Sequence, residues 1–327
     1  MHIDLQQLAT FAGATLCHDE VIGIDRQAQT VLCRNGAPVR YDFLSLNIGA
    51  TPQVARVPGA LAHSVPVKPI ARFNQRWLAL LQRVRSHSGT TTIAVVGGGA
   101  GGVELLLAMQ YRLQRELRML SRNPEELRFH LVTQSAEILP THNPGVRRRF
   151  RTVLAERGVQ VHVDTTVCHV QTGRLLAASG LVIDADEIIW VTQAGGAPWL
   201  AATGLALDEG GFVQVNEHLQ SVTDPRIFAA GDVASMVGHP LEKAGVFAVR
   251  QAQPLTDNLR ASALGQALVA YQPQRKWLAL ISTGNRYAVA SRGSLGFAGS
   301  WVWHWKDWID RRFMRRFSDL PGLPHES

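Results

Sequence analysis

The chain alternates short apolar runs with longer stretches in which apolar residues recur at helical spacing. Among its first fifty residues, the runs at 21–24, 29–33 and 43–48 predict strands, and Asn35-Gly36 favours a hairpin turn. Residues 72–86 carry apolar side chains three and four positions apart, which predicts a helix.

A second block begins with an apolar strand at 91–96, a glycine-rich loop at 97–102 and a helix at 103–120, which together predict a β-loop-α unit. The further elements predicted in this block are a strand at 128–133, a helix at 145–157, and strands at 159–163, 167–171, 174–177 and 187–192. After it, residues 205–265 return to strand, turn and helix, and the chain closes with strands and a helix rich in Trp and Arg.

Composition narrows the class of protein. The 327 residues suit about two domains. A hydrophobic content of 46% with 18% charged residues excludes a mainly disordered chain. The formal net charge of +7 favours partners that carry phosphate or other negative charge, namely nucleotides, nucleic acid or an anionic membrane.

The cysteines and the hydrophobic runs bear on location. Cys17, Cys33 and Cys168 form neither a CxxC pair nor a zinc-ligand cluster, so we expect no metal site and a reducing compartment. The first residues lack the features of a signal peptide, which favours the cytoplasm. The longest uncharged run, 188–207, contains several Gly and a Pro, so it predicts a buried strand and a loop rather than a membrane span.

The glycine loop carries the first functional signal. Gly97, Gly99 and Gly102 stand in GxGxxG register directly after a predicted strand and before a predicted helix. The first glycine permits the tight turn, the second lets a pyrophosphate approach the backbone, and the third lets helix and strand pack closely. The loop therefore predicts dinucleotide binding; the alternative is a glycine-rich turn without a ligand.

The sequence leaves open whether the loop binds NAD or NADP. An acidic residue usually ends the second strand and binds the ribose 2′-hydroxyl, but here the first acid after that strand is Glu137. The arginines at 147–149 are candidates for binding a 2′-phosphate, with a solvated helix face as the alternative.

A second signature lies at 223–236, where a turn and a short apolar strand end at Gly231-Asp232. Four motifs stand in order along the chain: SLNIGATP with Gly49, Ala50 and Thr51, then GGGAGGVE, then IIWVTQAGGAP with Gly195, then IFAAGDVA. Together they resemble the pyridine nucleotide-disulfide oxidoreductase and type II NADH dehydrogenase superfamily. The resemblance implies an α/β fold with two dinucleotide-binding domains.

Further segments resemble the flavoprotein module associated with bacterial selenide, water dikinase, the selenophosphate synthetase. They are HIDL at 2–5, VPVKPI at 65–70, KAGVFAVRQ at 243–251, LISTGNRYAVASRG at 280–293 and WVWHWKDWIDRRFMRRF at 301–317. This resemblance implies an association with selenophosphate synthetase.

The resemblance also implies a domain plan. Residues 1–70 and 204–265 correspond to two parts of an FAD-binding domain, 71–203 to the NAD(P)-binding domain, and 266–327 to a C-terminal region. Family members begin with a βαβ unit whose own GxGxxG loop holds the FAD pyrophosphate, and no such loop precedes residue 97. The sequence therefore looks like a family member truncated at its start.

The implied cofactors are FAD and NAD(P)H. By the resemblance, Asp232 binds the ribitol chain of FAD, and the helix that begins near Gly245 and Val246 points its positive end at the flavin. Lys243 and Gln251 are the candidates for flavin-ring contacts, and the alternative for Lys243 is an exposed loop lysine.

Two further positions bear on the chemistry. Glu104 matches the acid of the family's GxGxxGxE loop and is a candidate to lie beside the nicotinamide; otherwise it simply favours the helix N-terminus. A quinone-side AQxAxQ stretch is expected in type II NADH dehydrogenases. Here Phe247 stands where its first Gln belongs, which leaves the acceptor unknown, whether a small molecule or quinone-like.

The C-terminal helix is predicted to place one arc of apolar residues ahead of a basic segment. The arc comprises Trp301, Val302, Trp305, Trp308 and Ile309. Trp and Arg together suit a membrane interface, so residues 301–317 are a candidate surface anchor. The alternatives are packing on the protein body or across a homodimer. Nucleic acid is not favoured as a partner, because no recognition motif supports it.

The resulting prediction is an FAD-dependent NAD(P)H oxidoreductase, in which hydride passes from the nicotinamide to flavin and on to an unknown acceptor. Such a protein is expected in the cytoplasm or peripheral to the inner membrane. The rival is a truncated, non-catalytic remnant that binds NAD(P)H or a partner protein without flavin.

Overall fold

The computed structural model describes residues 3–192, 194–274 and 276–321. The chain divides into two compact units. The first unit comprises segments Met1–Thr51, Ala194–Arg275 and Phe313–Ser327, and the second unit comprises Pro52–Gln193 and Lys276–Arg312.

The described residues form seven α-helices and twenty strands. The helices are α1 Leu5–Ala12, α2 Ala60–His63, α3 Ile70–Ser86, α4 Ala100–Met119, α5 Pro144–Glu156, α6 Gly245–Ala263 and α7 Ser300–Ser318. The strands are β1 Val21–Asp25, β2 Thr30–Cys33, β3 Val39–Arg40, β4 Leu44–Leu46, β5 Thr51–Pro52, β6 Val65–Pro66, β7 Thr91–Val96, β8 Leu127–Val132, β9 Gln160–His162, β10 Val167–Gln171, β11 Arg174–Ala177, β12 Val182–Asp184, β13 Glu187–Trp190, β14 Ala194–Gly195, β15 Val213–Val215, β16 Ile227–Ala229, β17 Ala234–Met236, β18 Ala279–Ser282, β19 Ala288–Arg292 and β20 Leu295–Gly299.

The second unit is built on a parallel five-stranded sheet in the order β6-β13-β7-β8-β9. Strand β7 lies in its centre, with Val96 beside Val132 on one side and Trp190 on the other. Successive β7 side chains enter two different cores, since Ile93 and Val95 pack with α4 while Val96 packs with β10–β12. A strand buried on both faces explains the continuous apolar run at this point of the sequence.

The first unit contains a three-stranded antiparallel sheet, β1-β2-β3, and two parallel strand pairs, β4 with β16 and β15 with β17. Its core is formed by the apolar side chains of these strands and their loops. Helix α1 was not predicted from the sequence, and none of its residues is buried. Its ends are marked by Asp4, whose carboxylate accepts hydrogen bonds from the first helical N–H groups, and by Gly13 at φ +63°.

The last helix of the chain, α7, follows the antiparallel sheet β18-β19-β20. Val302 is fully buried and packs with Ala288 and Ala290 of β19, whereas Trp301 and Trp308 are more than half exposed. The predicted arc of Trp301, Val302 and the later tryptophans is therefore wrong at Val302, because adjacent helical residues point about 100° apart. No helix among the described residues is long and apolar enough to cross a membrane.

Candidate cofactor-binding sites

The glycine loop joins the end of β7 to the start of α4, as the sequence predicts. Gly97 adopts φ +132°, a conformation that favours glycine, and its N–H donates to the Val132 carbonyl oxygen at 2.8 Å. A Cβ on Gly102 would lie 1.8 Å from the Gly97 carbonyl oxygen. Residues 97 and 102 must therefore be glycine for helix and strand to approach this closely.

Gly99 differs from these two glycines. Its backbone is extended, and a Cβ built on it would meet no atom within 4 Å. It precedes the first residue of α4 and offers no capping side chain, so the first N–H groups of that helix stay available to a ligand. Space above an uncapped helix N-terminus is what a bound pyrophosphate needs.

This space is part of a cavity of about 400 Å³ at the carboxyl end of the parallel sheet. Its lining residues come from the loop, from the ends of β8 and β13 and from three nearby segments: Gln53, Arg56, Val57, Val96, Gly97, Gly98, Gly99, Val132, Thr133, Gln134, Ser135, Pro140, Thr165, Thr166, Val167, Trp190, Val191 and Thr192. Ligands of doubly wound α/β domains bind at this edge of the sheet. The residues present therefore fit a dinucleotide.

The charge of the cavity comes from one residue that sequence reasoning missed. Arg56 is the only charged side chain among the described lining residues. It follows the GATP motif in a short 3-10 helix, Val54–Arg56, where the sequence carries no signal for phosphate binding. The carboxylate of Glu137, the first acid after β8, binds Arg151 at 3.3 Å instead of lining the cavity.

The arginines at 147–149 do not line the nucleotide cavity. Arg148 and Arg149 line a different cavity of about 770 Å³, beside strands β19 and β20. Arg149 donates to the hydroxyl oxygen of Tyr287 at 2.5 Å. The interpretation of this triplet as a 2′-phosphate site is therefore wrong for these two side chains, because α5 directs them away from the end of β8.

Glu104 lies on the first turns of α4 but does not line the cavity. Its carboxylate accepts a hydrogen bond from the Ser282 N–H of β18 at 3.0 Å. Burial raises the pKa of Glu104, while that hydrogen bond and the positive charge of Lys306 act in the opposite direction. In this structure Glu104 therefore connects α4 to the β18 strand.

In the first unit, Gly231 and Asp232 follow β16 in a 3-10 turn, Gly231–Val233. Gly231 has φ +72°, and a Cβ on it would lie 2.7 Å from Asn47 Oδ1. Its N–H donates to Gln251 Oε1 at 2.6 Å. Gln251 is 3% exposed, so this predicted flavin-contact residue holds the turn that presents the half-buried Asp232.

The predicted residues after β4 share this edge of the fold. Because β4 and β16 are parallel neighbours, Gly49, Ala50 and Thr51 follow one strand where Gly231 and Asp232 follow the other. Gly49 has φ +70°. Gly195 is buried in β14 of the same unit.

Lys243 is an exposed residue, but its ammonium group has partners. Nζ donates to the Ala234 carbonyl oxygen at 2.6 Å and lies 3.9 Å from the centroid of the Phe212 ring. Partial desolvation lowers the pKa of Lys243, and the nearby charges of Asp208 and Asp232 oppose that shift. Lys243 is thus fixed beside the Asp232 turn rather than freely solvated.

Helix α6 begins at Gly245 and continues with Val246. The preceding Ala244 has no side chain that could cap it, and a Cβ on Gly245 would meet no atom within 4 Å. The positive end of the helix dipole is therefore accessible to a ligand. Together with Asp232, these residues fit the ribitol and flavin portions of FAD, and the described residues before β7 contain no second glycine loop for its pyrophosphate.

A family model described as pyridine nucleotide-disulphide oxidoreductase matches residues 7–256. The chain belongs to this family. FAD and NAD(P)H, the cofactors expected from the sequence, are those of this family. The mixed α/β fold with two dinucleotide-binding domains is confirmed.

Individual relatives are distant. The chain is 30% identical over 232 residues to alternative NAD(P)H-ubiquinone oxidoreductase C1 of Arabidopsis thaliana, a match covering 63% of this chain and 42% of that protein. It is 24% identical to NADH dehydrogenase-like protein YutJ of Bacillus subtilis (strain 168), covering 85% and 74% respectively. The chain thus spans less than half of the first relative's length.

Among solved structures, the sulfide:quinone oxidoreductase of Aquifex aeolicus superposes with a TM-score of 0.77 at 17% identity. The superposition covers 94% of this chain and 76% of that chain. At this identity the likeness concerns the fold. The link to selenophosphate synthetase and the truncated start stay predictions.

Proposed function

We propose that this chain is an FAD-dependent NAD(P)H oxidoreductase that passes electrons to a quinone-like or other small-molecule acceptor. The observation that carries the proposal is the glycine loop, in which Gly97 and Gly102 close the strand-helix contact while Gly99 leaves space over the α4 N-terminus. Bound FAD would supply the two-electron step between the nicotinamide and the acceptor. Two relatives are named as quinone oxidoreductases, which supports a quinone-like acceptor.

The chain's own residues would act by binding and orienting. The α4 N-terminus and the loop N–H groups would hold the nucleotide pyrophosphate. Asp232 would accept hydrogen bonds from the ribitol hydroxyls, and the α6 N-terminus would stabilise negative charge on the flavin. Gln251 positions this turn through Gly231, so it is a positioning residue.

The acceptor side differs from the family pattern. Phe247, at the position of the first Gln of AQxAxQ, is 4% exposed. Because this aromatic side chain is buried and has no amide group, we expect other residues to contact the acceptor. On the nucleotide side, the described lining residues include Arg56 and no acid, so we expect the chain to accept NADPH as well as NADH.

Asp232→Ala is expected to weaken FAD binding by about 10- to 150-fold, the equivalent of losing one hydrogen bond to a charged group, about 1.5–3 kcal/mol. Titration of FAD into the purified chain, followed by flavin fluorescence, gives the dissociation constant. Asp257→Ala is the matched control, because Asp257 is an exposed α6 carboxylate that binds Gln253.

Equal FAD affinity in Asp232→Ala and wild type would contradict the assignment of Asp232. If the wild-type chain binds NADPH but no FAD, the non-catalytic remnant becomes the better description. The rate of NADPH oxidation by the FAD-loaded chain in the presence of a soluble quinone tests the proposed oxidoreductase activity directly.

We also propose that α7 contacts a membrane surface. Trp301 and Trp305 stack with ring centroids 6.5 Å apart, and the Arg312 guanidinium lies 5.2 Å from the Trp308 ring centroid. These exposed rings, joined by Phe297, form an apolar row beside basic residues. Such a row suits the interface of an anionic bilayer.

Replacing Trp301, Trp305 and Trp308 together by Ser is expected to reduce co-sedimentation with phosphatidylserine-containing vesicles several-fold. The substitutions spare the buried Val302, which deletion of the helix would remove. A control that replaces the exposed Met119 and Leu120 by Ser should leave sedimentation unchanged. Unchanged sedimentation of the triple variant would rule out this row as the anchor, and a loss of dimer in size-exclusion chromatography would assign it to a homodimer contact.

A further inference from the structure

Cys17 and Cys33 are separated in sequence by the whole β1–β2 hairpin, but the fold brings them together. Val21 of β1 pairs with Cys33 at the end of β2. Beyond this pair, the Arg34 N–H donates to the Glu20 carbonyl oxygen at 2.9 Å. The residues that precede β1 therefore run alongside those that follow β2.

The chain bends between Cys17 and β1. The Asp19 N–H donates to the Cys17 carbonyl oxygen at 3.2 Å, which bends the chain at His18. The Asp19 carboxylate accepts hydrogen bonds from the N–H groups of Asn35 at 3.1 Å and Gly36 at 2.6 Å. These bonds fix the segment before β1 to the segment after β2, and they place Cys17 and Cys33 close enough for their side chains to interact.

The two thiols have different surroundings. Cys17 is exposed, whereas Cys33 is half-buried. Desolvation, followed by the neighbouring Cys17 and the negative charge of Asp19, raises the pKa of Cys33. Cys33 therefore stays a thiol at neutral pH, and a reagent in solution meets Cys17 first.

We propose that Cys17 and Cys33 form a reversible disulfide that crosslinks the base of the β1–β2 hairpin. The oxidant is a low-molecular-weight disulfide. The Cys17 thiolate attacks it, forming a mixed disulfide and releasing one small thiolate. The Cys33 sulfur, on losing its proton, then attacks the Cys17 sulfur and releases the second. The protein loses two electrons and two protons, and the oxidant becomes two thiols.

The expected result is specific to this pair. Incubating the purified full chain with oxidised glutathione should lower the mass contributed by Cys17 and Cys33 by about 2 Da, with no retained adduct at either residue. Peptide mapping without reductant should identify a 17–33 crosslink, and dithiothreitol should reverse it. The oxidised chain should also have a higher Tm, because the crosslink restricts the unfolded chain.

The matched control is the third cysteine. Cys168 is exposed in the second unit, where its thiol donates to the Leu176 carbonyl oxygen, so Cys168→Ser should retain the mass loss. Cys17→Ser and Cys33→Ser should each abolish it, with circular dichroism confirming their fold. A stable glutathione adduct on wild-type Cys17, without closure onto Cys33, would overturn the proposal. The same mass loss in Cys17→Ser would also overturn it.

Discussion

Gly99→Val is expected to weaken binding of both NADH and NADPH by about a hundredfold, equivalent to about 2.7 kcal/mol, while the Tm stays close to that of wild type. The reason is local. Gly99 has extended backbone that valine adopts readily, and its Cβ would meet no protein atom within 4 Å. The added side chain would instead occupy the space above the α4 N-terminus. Isothermal titration calorimetry and thermal unfolding measure the two effects.

Two neighbouring glycines serve as controls with different expected results. Gly102→Ala should lower the Tm, because its Cβ would lie 1.8 Å from the Gly97 carbonyl oxygen and would push α4 away from the end of β7. Gly101→Ala should change neither property, since its Cβ would be in ordinary contact with Val191 at 3.8 Å. Unchanged nucleotide affinity in Gly99→Val would contradict the location of the pyrophosphate site.

The glycine loop could be predicted from the sequence because every signal for it is local. A run of β-branched residues buried on both faces precedes it, and the helix spacing follows within a few positions. The close contact of Gly102 with the Gly97 carbonyl oxygen joins residues only five positions apart. The Gly231-Asp232 turn could be predicted for a similar reason, because a strand and the turn that follows it form one short motif.

Contacts between distant segments could not be read in this way. Glu104 accepts a hydrogen bond from the backbone of Ser282, and the β1–β2 hairpin brings Cys17 near Cys33. In both pairs the two residues belong to segments that are far apart in sequence, so the spacing of residues along the chain does not reveal the contact. Arg56 was missed because the segment that contains it has no periodicity. The bond between Gln251 and Gly231 was missed because it depends on how α6 packs.

A buried carboxylate at the start of β13 provides a second large effect. The side chain of Glu187 is 1% exposed, and its two oxygens accept hydrogen bonds from Arg76 Nε at 2.7 Å and Arg83 Nη2 at 2.8 Å. Both arginines lie on α3, and β13 is an inner strand of the parallel sheet; the other end of this strand lines the nucleotide cavity. This ion pair thus connects α3 to the sheet.

Replacing Arg76 and Arg83 together by Met is expected to lower the free energy of unfolding by about 3–5 kcal/mol, because it leaves the Glu187 carboxylate buried without a positive partner. Methionine retains much of the apolar contact of the arginine stems, so the loss reports the charge. Adding Glu187→Leu to the double variant should recover most of the stability, since the uncompensated charge is then gone.

Urea unfolding followed by tryptophan fluorescence measures these differences, with Trp190 on the same strand as Glu187. Arg174→Met is the matched control. Its partner Asp184 is 74% exposed, and an exposed pair contributes about 0–1 kcal/mol. A double variant as stable as this control would mean that solvent reaches Glu187. A triple variant no more stable than the double would assign the loss to the arginine stems and not to the buried charge.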